Sequence, residues 1–326
     1  MGILVRFELK KILGNRAGMA ACALMLVMLV AVATLNRLTM DTTPSTLDSA
    51  QESVSSDAAG LEDEAKAKME GILANGFWGH HPYTDAEKAY WRRLADEVAR
   101  PLTWGYDGGW HYVITWKGFS GLVIVALCVA LSGVFAGEYR DRTIAVLLPT
   151  RRGKRDLPIA KVIAAFVFTT GYWCVLALGI VVIHLGVYGV EGWSLPLQVT
   201  LGLDNPYPLT VGQAVVASYA LGYLVALGMA ALTLLLSSRL RSAIPVAVIP
   251  MVIVFLGIIG LFSAPLAKVA LLTPFSGLSY AFDAMVSYAA GPFVADLPTV
   301  LAALYGVMLA AFVPCAIRSF RTHQVV

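Results

Sequence analysis

The stretch GEYRDRTIAVLLPTRRGKRDLPIAK, residues 137–161, lies between two long apolar runs of the chain. Its seven basic residues outnumber its three acidic residues. A segment this basic next to a membrane span is retained on the cytoplasmic side of the membrane. Its middle, residues 143–148, is apolar but too short to cross a bilayer. We interpret the stretch as a short amphipathic element at the inner membrane surface. The alternative is a loop that rests its apolar side among lipid headgroups.

The composition of the whole chain indicates a membrane protein. Of its 326 residues, 58% are hydrophobic and 14% are charged, and the mean hydropathy is +0.72. Ordinary soluble domains carry about 25% charged residues. The charges are also clustered, and they leave six charge-free runs, each able to hold a span of roughly 20 residues. The predicted fold class is therefore an all-α polytopic membrane protein with six transmembrane helices.

The charge-free runs divide the chain into spans and connecting segments. We place the six spans at residues 17–36, 118–137, 162–187, 213–236, 244–263 and 298–317. With both termini in the cytoplasm, the inner parts hold 15 of the 24 Lys and Arg but only four of the 21 acidic residues, as the positive-inside rule favours. The inner parts are an interfacial helix at 1–16, the loop at 138–161, a short loop at 237–243 and the tail at 318–326. The outer parts are a domain at 37–117, a loop at 188–212 and re-entrant or interfacial segments at 264–297.

The hydrophilic insert at 37–117 is predicted to be a small helical external domain. Residues 61–74 are helical in pattern, and Asn75-Gly76 is a plausible C-cap. Thr84 and Glu87 form a capping box that opens a second helix, expected to run to about Arg100 before Pro101. Nine Trp and Tyr residues crowd the second half of the insert. Packing and anchoring at the membrane interface explain them better than a ligand site does.

Few residues of the chain can carry chemistry. His80 and His81 are adjacent, but no Cys lies nearby and no metal-ligand spacing surrounds them. The four cysteines, Cys22, Cys128, Cys174 and Cys315, all fall in predicted spans, so the external domain is not disulfide-linked. His184 is the only candidate for an ionisable residue at mid-membrane, and it lies toward the outer end of the third span, which argues against a proton pathway. We therefore predict no catalytic, metal or cofactor residue.

Nucleotide-binding and hydrolase motifs are absent from the sequence. It contains no GxxxxGK[ST] phosphate loop, no GxSxG elbow and no HExxH zinc motif. The chain therefore does not bind and hydrolyse ATP through a phosphate loop of its own. If it performs active transport, the energy comes from another subunit.

The span plan and the basic loop together resemble the ABC-type-two permeases of ABC transporters. In this family the loop carries, in order along the chain, a Glu after the second span, a basic residue or Gly followed by Thr, a Leu-Leu pair, a Thr beside a Pro, further basic residues, and a Lys at the start of the third span. The matching positions here are Glu138, Arg142-Thr143, Leu147-Leu148, Pro149-Thr150, Arg151-Arg152 and Lys161. The order Pro149-Thr150 is the reverse of the usual Thr-Pro, which leaves the end of the loop helix open.

The resemblance implies a non-enzymatic permease subunit in the cell membrane, most simply a bacterial inner membrane. It implies an ABC ATPase partner that holds ATP and magnesium, and a second permease chain, identical or related, with membrane lipids around both. No nucleic-acid partner is expected. The loop would dock the ATPase through a helix over residues 141–148, on which Ile144 shares a face with Leu147 and Leu148. The expected coupling residues are Glu138, Arg142, Thr143, Ile144, Leu147, Leu148, Arg151 and Arg152.

The substrate and two other functional classes remain open from the sequence. An uncharged pathway with Thr and Tyr suits export of an amphipathic molecule such as a drug, a peptide antibiotic or a lipid. The candidate pathway residues are Thr169, Tyr172, Tyr219 and Tyr223. One alternative is a membrane sensor or assembly partner whose external domain binds a ligand or protein. An intramembrane enzyme is disfavoured because the spans lack polar catalytic groups.

Overall fold

The computed structural model describes residues 1–39, 58–77, 81–141, 143 and 153–322. The protein is 76% helical. Its helices are α1 (Gly2–Leu13), α2 (Arg16–Thr39), α3 (Ala58–Asn75), α4 (Asp85–Asp96), α5 (Gly108–Thr115), α6 (Phe119–Leu131), α7 (Gly133–Arg140), α8 (Asp156–Tyr188), α9 (Leu197–Leu201), α10 (Val211–Arg239), α11 (Ala243–Gly260), α12 (Ala267–Ala270), α13 (Pro274–Tyr280) and α14 (Leu297–Thr322). Strands β1 (Ser287–Ala290) and β2 (Phe293–Asp296) pair antiparallel before α14.

Within the described residues, six helical segments are long and apolar enough to cross a membrane, which confirms the predicted fold class. They are Arg16–Leu35, Gly108–Arg140, Asp156–Tyr188, Val211–Arg239, Ala243–Gly260 and Leu297–Thr322. Helices satisfy their backbone hydrogen bonds internally, so long charge-free runs have no other stable form in lipid. The second segment begins at Gly108, because α5 and a 3₁₀ turn at Trp116–Gly118 continue into α6.

The second and fourth spans form the centre of the bundle. Helix α10 packs along α14, and α6 contacts α2, α10 and α11. Glycines allow the closest of these approaches: a Cβ at Gly18 would lie 2.5 Å from the Cα of Ala130, and one at Gly228 would lie 2.9 Å from Tyr305. Small residues at helix crossings are the usual means of close packing in membranes.

The helices of the insert follow the local sequence signals. Helix α3 ends at Asn75 and is followed by Gly76 in the left-handed conformation (φ 83°), as predicted. Thr84 and Glu87 form the predicted capping box of α4. Helix α4 ends at Asp96, four residues earlier than predicted from Pro101. Beyond it Val98 and Leu102 are both buried, and the chain leaves the helical path to place them inside.

The segment between α11 and α14 contains a β-hairpin that the sequence pattern did not reveal. Ala290 pairs with Phe293 across a two-residue turn, and Gly291 at its first position has φ 64°, which suits a tight hairpin turn. Ser287, the first hairpin residue, accepts a hydrogen bond from the Trp91 indole (3.1 Å) and donates one to Glu87 (2.9 Å). The hairpin therefore fixes α4 to the bundle.

Glu87 is a buried acidic residue at the contact between α4 and the hairpin. Burial alone would raise its pKa, but hydrogen bonds from Thr84 and Ser287 and the charge of Lys268 outweigh burial and lower the pKa. The Lys268 ammonium lies 3.5 Å from the carboxylate. Glu87 thus stays ionised and satisfied at the point where the insert meets the bundle.

Candidate functional site

The two ends of the loop at 138–161 meet at a buried group of charges. Helix α7 ends at Arg140, and α8 begins at Asp156. Glu138, in the last turn of α7, and Lys161, in the second turn of α8, are both buried. Two residues of α1, Glu8 and Lys11, complete the group. We call Glu8, Lys11, Glu138 and Lys161 the charge cluster.

Lys161 is the centre of the charge cluster. Its side chain is 1% exposed. Its Nζ donates to Glu8 Oε2 at 2.7 Å, to Glu138 Oε1 at 2.8 Å and to the Val134 carbonyl oxygen at 2.9 Å. An ammonium group has three protons, so every donor of Lys161 has an acceptor. These three hydrogen bonds compensate for the burial of the lysine, because an unpaired buried charge is strongly unfavourable.

Lys11 balances the charge of the cluster. Its Nζ lies 2.7 Å from Glu138 Oε1 and 3.7 Å from Glu8 Oε1, so two carboxylates face two ammonium groups. Burial alone would lower the pKa of Lys11, but the hydrogen bond to Glu138 and the charges of Glu8 and Glu138 raise it. The group is neutral overall, and it ties α1 to α7 and α8.

Thr143 attaches the beginning of the loop to the charge cluster. Its hydroxyl donates to the Glu138 carboxylate and lies 3.4 Å from the Glu138 carbonyl oxygen. Glu138 thus receives hydrogen bonds from α1, from α8 and from the loop itself. A displacement of Thr143 would act directly on a carboxylate that three elements share.

Ser237 of α10 bridges the break between α6 and α7. The Ser237 hydroxyl accepts from the backbone N–H of Phe135 (3.0 Å) and of Ala136 (2.9 Å), and it donates to the Ser132 carbonyl oxygen (2.8 Å). These bonds satisfy backbone groups that the interruption of the helix would otherwise leave unpaired.

Aromatic contacts complete the support of α7. The Tyr139 hydroxyl donates to the Ser238 carbonyl oxygen at 2.9 Å. The rings of Phe135 and Phe320 lie 5.0 Å apart, which brings the end of α14 against α7. The loop therefore leaves from a helix held by α1, α8, α10 and α14.

Two of the predicted coupling residues lie in the described part of the chain. Glu138 is buried, whereas Thr143 is exposed and attaches the beginning of the loop to Glu138 through its hydroxyl. The remaining predicted coupling residues lie outside the described residues: Arg142, Ile144, Leu147, Leu148, Arg151 and Arg152.

The candidate pathway residues use their hydroxyl groups within the bundle. Tyr172 donates to the Cys22 carbonyl oxygen at 3.1 Å, and Tyr219 donates to that of Val113 at 3.0 Å. The Tyr223 hydroxyl lies 2.7 Å from Thr170 Oγ1. Thr169 is buried and donates to Ala165 in its own helix. The three tyrosine contacts join spans to one another, and none of the four residues lines the pocket at the insert.

His184 is a core residue in the structure. It is buried, and its Nδ1 lies 2.8 Å from the Ile180 carbonyl oxygen of the same helix. The Tyr112 ring stacks on it at 5.8 Å, and the Trp116 ring lies at 5.4 Å. Cys22, Cys128, Cys174 and Cys315 are free thiols that lie in the spanning helices.

Sequence reasoning missed Glu8 and Lys11. In the sequence Glu138 marks the beginning of the loop and Lys161 its end, but no local pattern links either residue to α1. The available signal was Glu8 itself, the only acidic residue in an otherwise basic and apolar α1. A single acid on a helix destined for a buried contact indicates a basic partner elsewhere in the chain.

Comparison with known protein families gave a match over nearly the whole chain. A family model described as "ABC-2 family transporter protein" matches residues 3–325, which include all six long helices, the loop and the charge cluster. No curated protein and no solved structure matches the sequence.

Proposed function

The chain belongs to the ABC-2 family of transporter proteins, and from this premise we propose that it exports an amphipathic substrate with energy from a separate ATPase subunit. Membership of the family makes it a multi-pass membrane component of an ABC transporter, which confirms the resemblance found in the sequence. The export direction, the substrate class and the particular ATPase are the proposed part.

The observation that carries the proposal is the attachment of the loop to the charge cluster. A docking loop must pass the movement of its ATPase to the spans. Glu138 and Lys161 lie at the two ends of the loop, and Lys161 Nζ is 2.8 Å from Glu138 Oε1. Both residues also bind α1, Lys161 through Glu8 and Glu138 through Lys11. A push on the loop would therefore reach α1, α7 and α8 together. Tightly packed, fully paired elements move as units and do not absorb such a push locally.

The proposed arrangement places the loop and both termini in the cytoplasm and the insert at 37–117 outside. Its support is the excess of Lys and Arg in the inner parts. ATP and magnesium would bind the partner ATPase. A second permease chain, identical or related, would supply the other wall of the pathway. Membrane lipids would surround both chains, and the cell membrane is the proposed location.

An amphipathic substrate is the class that the spans suit. Between the charged groups near their ends, the spans offer hydroxyl groups and apolar surface. Thr169, Tyr172, Tyr219 and Tyr223 would shape the pathway mainly by holding the spans in position, because their hydroxyls bind neighbouring backbone and side chains.

The proposed function is tested in proteoliposomes that contain the chain and its ATPase. We expect ATP hydrolysis to rise when the two proteins share a membrane, and a fluorescent amphipathic dye to move only when ATP is present. An ATPase variant that binds but does not hydrolyse ATP is the control. Equal ATP hydrolysis with and without the chain, together with ATP-independent dye movement, would refute the proposal.

The orientation gives a separate prediction. In a background that lacks Cys22, Cys128, Cys174 and Cys315, single cysteines are introduced as Ser56→Cys and Lys154→Cys. An impermeant maleimide should label Ser56→Cys in intact cells, whereas Lys154→Cys should react only after lysis. The opposite pattern would reverse the proposed topology.

A further inference from the structure

The insert contains a pocket away from the charge cluster. It is a cavity of about 400 Å³ between α3, the end of α4 and the loop that precedes α10. This volume lies at the small end of the roughly 300–1,000 Å³ that small-molecule sites occupy. A ligand of the size of a di- or tripeptide would fit such a space.

The pocket combines an apolar floor with a rigid wall. Ala65 and Val98 are buried, and Met69 lies beside them. The loop wall is held by Asn205, which donates to the Phe282 carbonyl oxygen (2.9 Å) and accepts from the Tyr207 N–H (3.0 Å). A preformed apolar floor of this kind binds a ligand at low cost in conformational entropy.

Two pairs of charges at the rim neutralise each other. Arg92 makes two hydrogen bonds to Glu70, at 2.8 and 2.7 Å, and this contact holds the pKa of Glu70 below its usual value. Lys68 lies 2.9 Å from Asp204, which lines the loop side. Because these four charged residues form two ion pairs, they contribute little net electrostatic field in the pocket.

Three further charged residues line the pocket, namely Lys66, Asp96 and Arg100. Arg100 has an interaction partner of its own, so two of these charges are left available. Lys66 on α3 and Asp96 at the end of α4 are both exposed and both line the pocket. Within the described ranges of the chain, neither forms a hydrogen bond or an ion pair. The pocket thus presents one cation and one anion from two different helices above an apolar floor.

We infer that this pocket binds a short apolar peptide with free termini. The peptide carboxylate would pair with Lys66, its ammonium group with Asp96, and its apolar side chains would cover Ala65, Met69 and Val98. A zwitterion fits because the two available charges have opposite sign, and a ligand with one net charge would leave the other unpaired. The inference is independent of the ATPase, since it concerns a site between the insert and the loop that precedes α10, away from the loop at 138–161.

The test uses the full chain in nanodiscs, without ATPase or ATP, and isothermal titration calorimetry. The probes are leucyl-alanyl-leucine with free termini, the N-acetylated peptide, the C-amidated peptide and the doubly capped peptide. We expect the doubly capped peptide to bind at least about tenfold more weakly than the free peptide, because charge-assisted hydrogen bonds at both ends are lost. Equal affinity of the two, or no binding at up to about 10 mM, would overturn the inference.

Two variants assign each terminus to its residue. Lys66→Gln should remove the preference for a free carboxylate over the amide, and Asp96→Asn should remove the preference for a free ammonium over the acetyl group. Each should weaken the free peptide by about three- to tenfold. Lys88→Gln and Glu97→Gln, which change charges on or next to α4 that do not line the pocket, should leave both preferences intact. Unchanged preferences in Lys66→Gln and Asp96→Asn would also overturn the inference, while leaving the permease proposal untouched.

Discussion

Replacing Lys161 with methionine is expected to lower the free energy of unfolding by about 3–5 kcal/mol, the usual cost of breaking a buried ion pair by removing one partner. The change leaves the carboxylates of Glu8 and Glu138 buried, with only Lys11 to balance them. It also removes the hydrogen bond to the Val134 carbonyl oxygen. Chemical denaturation in detergent, followed by tryptophan fluorescence, measures the loss.

Two controls separate this loss from a general effect of removing a lysine. Lys154→Met removes an exposed lysine of the same loop and should change stability by no more than about 0.5 kcal/mol. The combined variant Glu8→Gln, Glu138→Gln and Lys161→Met removes the three buried charges together and should recover much of the loss, because the remaining charge, that of Lys11, is 42% exposed and solvated. If Lys161→Met were as stable as Lys154→Met, the charge cluster would not hold α1 against α7 and α8.

Leu147→Asp is expected to weaken docking of the ATPase by tenfold or more. The sequence predicts a helix over 141–148 that presents Ile144, Leu147 and Leu148 on one face and ends before Pro149. Burial of one leucine contributes about 1.5–3 kcal/mol, and 1.4 kcal/mol corresponds to a tenfold change in affinity. A carboxylate at the same position would lose that burial. Pull-down of the ATPase measures the effect.

Arg152→Ala is the matched control for Leu147→Asp. It removes a charge from the basic part of the same loop, and exposed ion pairs contribute only about 0–1 kcal/mol. Docking should therefore fall by a few-fold at most. Both variants should insert normally, because neither change touches a span. Full association of Leu147→Asp would reduce the loop to a lipid-facing segment.

The parts of the fold that the sequence predicted depend on local chemistry. Long charge-free runs become spanning helices because the lipid interior holds no water that could hydrogen-bond to unpaired backbone groups. The capping box of Thr84 and the positive φ of Gly76 each involve only residues a few positions apart. Such features can be predicted from one sequence because every participant lies in one short window.

The parts that the sequence did not predict depend on contacts between distant residues. Glu8 and Lys161 are 153 positions apart, and each alone resembles an ordinary interfacial charge. The hairpin at 287–296 consists of short strands whose pairing is fixed by contacts to Glu87 and Trp91 in the insert. Helix α4 ends early because Val98 and Leu102 are buried by tertiary packing. Pattern and propensity carry no information about these partners.

The mass of the intact assembly tests whether this chain works with a separate ATPase. The wild-type chain and Leu147→Asp are extracted in mild detergent from cells that express the ATPase, and native mass spectrometry counts the subunits. For the wild type we predict two permease chains, identical or related, with two ATPase subunits, and for Leu147→Asp the permease chains alone. A wild-type chain that carries no ATPase subunit, or one permease chain for each ATPase pair, would contradict the proposed function.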